Sequence, residues 1–134
     1  MRIEPLDEGD HLLVTTFEPD GTAAATPLWF AGSAGRFVAL VDAEDDLLRR
    51  IEERDRAEVA AGTEQGTVIP GAAVLAATVR ALDDDAVAST ERALRKKYRL
   101  RWHASQARDR AIRKARGGAI RADVAIEITL TEAI

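Results

Sequence analysis

The chain has 134 residues, 46% of them hydrophobic and 31% charged, which suits one domain, residues 1–134, around one core. The absence of cysteine excludes disulfides and thiolate chemistry and fits a reducing cytoplasm, while the widely spaced His11 and His103 exclude a metal site with ligand-like spacing. No apolar run approaches the ~18 residues of a membrane span, and the acidic start MRIEPLDEGD lacks the character of a signal peptide, so a cytoplasmic protein is expected.

Strand-like residues dominate the front of the chain. Leu12 to Phe17 leads into Pro19-Asp20-Gly21, a turn tripeptide, and a second run ends in Thr26-Pro27-Leu28-Trp29-Phe30. Gly32-Ser33-Ala34-Gly35 reads as a turn, and Arg36 to Asp42 as a third strand. Asp42 is positioned to cap a short helix that ends near Arg54, with Leu47, Leu48 and Ile51 as its apolar stripe and Glu44, Asp45 and Asp46 in its first turn. Glu58 to Gly62 forms a fourth strand, Thr63 to Gly71 a turn region, and Ala73 to Leu82 a fifth strand expected to bury Val74, Ala76 and Thr78.

Asp83-Asp84-Asp85 then caps a helix over Ala86 to Arg101, and a second helix runs from Ser105 to Gly117-Gly118. Ala122 to Thr131 closes the series as a sixth strand, alternating Val124, Ile126, Ile128 and Leu130 with polar Asp123 and Glu127. Six short strands with intervening helices predict a mostly β domain, a small antiparallel barrel with flanking helices.

Charge is unevenly spread. The net value is −4, yet Arg92 to Arg121 holds twelve basic residues against the single acid Asp109, leaving the remainder strongly acidic. Such a segment suits either a nucleic-acid surface or a helical region lying on acidic surface of the chain or of a partner subunit. With Tyr98 and Trp102 as its only aromatic residues and no nucleic-acid motif, the second reading is preferred.

The hairpin of Leu12 to Ala31 with its TPLWF ending resembles the opening of the pyridoxamine 5'-phosphate oxidase-like, FMN-binding split β-barrel family, closest to its deazaflavin-dependent branch. Arg56 to Gly66, Ala73 to Asp85, Lys96-Lys97-Tyr98 and Glu127-Ile128-Thr129 resemble successive later parts of those proteins, so the likeness runs along almost the whole chain. The resemblance implies a six-stranded antiparallel split β-barrel forming a homodimer. It also implies a cofactor, coenzyme F-420 or FMN, in a groove at the dimer interface, and hydride transfer to or from a small organic substrate. The cofactor carries that chemistry, so no catalytic side chain is needed, and Ser33, Ser89 and Ser105 have no neighbouring His-Asp arrangement.

The cofactor-binding residues implied are Thr26, Pro27, Leu28 and Trp29 against the ring, with Val41, Arg49 and Arg50 toward the phosphate. Here the chain departs from the family, which places Thr or Ser at the position of Val41 and Lys at that of Leu47, with Asp45 and Asp46 just upstream. Residue by residue, Trp29 suits a ring pocket or core packing, Arg49 and Arg50 a phosphate contact or a solvated helix face, and Tyr98 a cofactor contact or a packed ring with a wet hydroxyl. The alternative function is a cofactor-poor, non-enzymatic split barrel that binds an anionic ligand, a haem-like pigment or a polyanion.

Overall fold

The computed structural model describes residues 11–63, 65–98 and 123–131. Its elements are β1 (His11–Phe17), β2 (Ala23–Leu28), β3 (Ala31–Ser33), β4 (Arg36–Asp42), α1 (Asp46–Glu53), β5 (Arg56–Gly62), β6 (Leu75–Ala81), α2 (Asp85–Tyr98) and β7 (Asp123–Leu130). The expected second helix, with Ser105, His103 and most of the basic segment, lies outside the described residues.

The strands form one antiparallel sheet in the order β2-β1-β5-β6-β7-β4-β3. It curls so that one face encloses a core of Leu12, Val14, Phe30, Phe37, Val59, Val79, Ile126 and Ile128, the split-barrel architecture anticipated from sequence. The β1-β2 turn closes as its tripeptide dictates: Gly21 N–H donates to Glu18 O at 2.9 Å, Asp20 Oδ1 accepts from Thr22 N–H at 2.9 Å, and Gly21 takes φ +91°.

A seventh strand arises where only a turn was expected. Ala34 (φ 56°) and Gly35 (φ 80°) form a two-residue connection with both central residues left-handed, so Ala31–Ser33 folds back on β4 as β3. The inward face of β6 is also corrected. Register pairs Leu75 with Val59 and Ala77 with Ala57, which turns Ala77 and Val79 inward, while Val74 is 53% exposed and Ala76 and Thr78 are half-buried. Because side chains alternate, a phase shift of one residue exchanges the faces.

Helix α1 closes one end of the barrel through Leu47, Ile51 and Leu48. Its N-cap is Asp45, whose carboxylate accepts from Leu47 N–H at 2.9 Å, whereas Asp42 serves the preceding turn by accepting from Glu44 N–H at 2.9 Å. Helix α2 lies on the outside of the sheet, where Leu94 and Tyr98 join Ala31, Val38, Leu40 and Trp29 in a second apolar cluster. No described helix is long and apolar enough to cross a membrane.

Candidate functional site

The residues expected to meet a ring divide between the two faces of β2. Thr26 pairs with Val14 and Leu28 with Leu12, so both share the core face; Pro27, opposite Leu13, points the other way. Trp29, just beyond the strand, packs with the outer cluster. The four therefore do not line one continuous wall. Pro27 and Trp29 supply the outer part, beside His11 and Leu13 of β1.

Trp29 is held by a stacked ring and by a hydrogen bond. Its ring stacks on Tyr98 with centroids 4.5 Å apart and planes 11° from parallel, and its indole N–H donates to His11 Nε2 at 2.9 Å. Tyr98 is in turn fixed by its hydroxyl, which accepts from Phe30 N–H at 3.0 Å and donates to Phe30 O at 3.1 Å. That hydroxyl is buried rather than wet, correcting the expectation for Tyr98. Lys97 adds a cation–π contact, its Nζ lying 3.4 Å from the centroid of the Phe30 ring.

The arginine end lies at the far end of β1. Thr16 is five residues from His11, so about 17 Å of strand separates the arginine cluster from the Trp29 cluster. Arg49 forms a two-pronged ion pair with Glu18, Nη2 at 2.8 Å from Oε1 and Nη1 at 3.0 Å from Oε2. Arg50 places Nη1 at 3.7 Å from the same Oε1 and donates its Nε–H to Thr16 Oγ1 at 2.6 Å. Arg50 is 7% exposed, whereas the Arg49 side chain is half exposed. The Arg49 guanidinium, the main influence, holds the Glu18 carboxyl below its ordinary pKa, and Glu18 reciprocally raises that of Arg49.

The other two positions assigned to the phosphate end face inward. Val41 is 4% exposed and Leu47 is fully buried, both in the barrel core. The cluster thus differs from a phosphate grip: its arginines hold an internal carboxylate, and the family's Lys position is filled by a core leucine. Pro27 and Trp29 are half-buried apolar residues on the outer face; the phosphate end, with Glu18 between its arginines, does not fit a phosphate as built.

Glu18 and Thr16 escaped sequence reasoning because their partners are 31 and 34 residues away. Tyr98 was singled out, but its attachment to the backbone of Phe30 spans 68 residues and has no local signal. Two hollows share Phe17 and Arg56 in their walls: one runs beside Ile51 and Glu53, the other beside Ala57 and Thr78. No group of three or more metal-ligating side chains occurs among the described residues.

No family model and no curated protein matches the sequence. Solved structures do match the fold. HutZ, the haem storage protein of Vibrio cholerae, superposes with TM-score 0.65 at 11% identity, over 99% of this chain and 93% of that one. An F-420 reductase gives TM-score 0.56 at 16% identity, over 95% of this chain and 91% of that one. A Clostridium acetobutylicum protein related to general stress protein 26, of the pyridoxinephosphate oxidase family, gives 0.55 at 12% identity, over 93% and 78%. The chain thus shares the split β-barrel fold of these structures, several of which are pyridoxamine 5'-phosphate oxidase-like proteins.

Proposed function

We infer that the protein is an oxidoreductase of the flavin or deazaflavin type, binding FMN or coenzyme F-420 and transferring hydride to or from a small organic substrate. The observation that carries this reading is the near end-to-end correspondence with an F-420 reductase, which spans 91% of that chain. The half-buried apolar side chains of Pro27 and Trp29, the latter oriented by Tyr98 and His11, support ring binding. When bound, such a ring supplies the hydride chemistry, and the protein's part is orientation. The reading includes a cytoplasmic homodimer whose partner subunit completes the groove.

Titrating the protein with FMN and with coenzyme F-420, while following cofactor absorbance and fluorescence, tests it. Saturable binding with a Kd below roughly 100 μM is expected for at least one. No saturation with either in that range refutes the cofactor assignment. Light scattering on the same sample checks the dimer.

A second reading is favoured by the occupied arginines, which leave the expected phosphate seat filled: a split barrel that carries a pigment ligand, or an anion held elsewhere, without redox chemistry. The correspondence with a haem storage protein supports it. It predicts saturable haem binding in the same titration and no flavin-dependent turnover.

A further inference from the structure

The arrangement around Glu18 is a complete anion site whose anion belongs to the chain itself. One carboxylate oxygen, Oε1, faces two guanidinium groups, 2.8 Å from Arg49 and 3.7 Å from Arg50. Oε2 takes the second prong of Arg49 at 3.0 Å. The Arg50 half is built in, because this buried side chain is oriented by the Thr16 hydroxyl. The carboxylate is delivered by the β1-β2 turn, whose backbone fixes Glu18 twice: Glu18 N–H donates to Thr22 O and Glu18 O accepts from Gly21 N–H, each at 2.9 Å.

We propose that Glu18 is a specificity-determining residue: its carboxylate fills the seat between Arg49 and Arg50 and selects against ligands that bring a phosphate there. This rests on the flavin-type reading above and narrows its ligand class to planar rings bound without a phosphate in the arginine seat. Electrostatics support the assignment. Two arginines and one carboxylate leave a net of one positive charge, and Asp46 and Glu53 bear on Arg49 while Asp20 bears on Glu18. A phosphate dianion must therefore expel a tethered competitor and then face the remaining acids.

Glu18→Gln keeps the side-chain shape and both backbone hydrogen bonds of the turn while removing the competing charge. The test compares wild type, Glu18→Gln and the double variant Glu18→Gln/Arg49→Gln, each checked for folding by circular dichroism. Inorganic pyrophosphate is the first probe, with binding read from the shift in melting temperature and isothermal titration at constant ionic strength. Glu18→Gln is expected to bind pyrophosphate roughly tenfold or more tightly than wild type, with the gain abolished in the double variant. Equal affinity in wild type and Glu18→Gln, or a gain that persists without Arg49, overturns the proposal.

Riboflavin and FMN are the second probe. Wild type is expected to bind the two within about threefold, and Glu18→Gln to favour FMN by roughly tenfold. An FMN preference that Glu18→Gln leaves unchanged counts against the proposal. If neither flavin binds any variant, the cofactor reading fails while pyrophosphate still decides the role of Glu18.

Discussion

Replacing Tyr98 by phenylalanine isolates one oxygen atom that ties α2 to the barrel. The hydroxyl accepts from Phe30 N–H and donates to Phe30 O, and all of these groups are buried. The substitution retains the ring and its stack on Trp29, so it removes two hydrogen bonds with little loss of apolar packing. An unsatisfied buried N–H costs about 1–3 kcal/mol and the carbonyl somewhat less, so roughly 2–3 kcal/mol of destabilisation is expected. For a domain of this size that corresponds to a fall of about 6–12 °C in melting temperature. Urea unfolding provides the free energy, with the midpoint shifting at constant slope. Tyr98→Leu loses the stack as well and must fall further, by roughly 1 kcal/mol or more. A loss below about 0.5 kcal/mol for Tyr98→Phe refutes the claim that this hydroxyl satisfies Phe30.

Other residues give sharper contrasts. Ala34→Asn, or Ala34→Gly, relieves a left-handed alanine and should raise stability by about 0.5–1 kcal/mol in thermal or urea melts; a decrease refutes strain at this turn. Leu47→Lys introduces the basic residue that the resemblance implies but places it at a fully buried position, so several kcal/mol of destabilisation and no gain in pyrophosphate affinity are expected. Glu18 has a depressed folded-state pKa, so its ion pair contributes fully above the ordinary value of 4.5 and is lost as pH falls through the lower folded value. Stability measured from pH 7 to 3 should therefore drop less steeply for Glu18→Gln than for wild type; parallel profiles contradict the pairing.

Much of the barrel could be read from residue order because several segments allow only one interpretation. Pro19-Asp20-Gly21 demands a reversal, and the alternation of Ile126 and Ile128 with Glu127 admits one inward face. The β6 segment does not. AVLAATVRAL is apolar in both phases, so only its pairing with Val59 and Ala57 decides which side turns in. The β3 strand was hidden because its turn uses alanine where glycine or asparagine ordinarily signals a left-handed residue. The candidate site was legible in its chemical types but not in its pairings: the adjacent arginines of α1 stood out, whereas the carboxylate they hold comes from the β1-β2 turn.

The ends of the sheet carry a consequence for how copies of this chain can meet. Among the described residues, β2 forms one rim and bears a proline next to its last residue, which cannot donate to an added neighbour; β3, the other rim, is three residues long. Neither offers the long, regular ladder needed to recruit another strand. Growth of the sheet from copy to copy thereby lacks a template at either described edge.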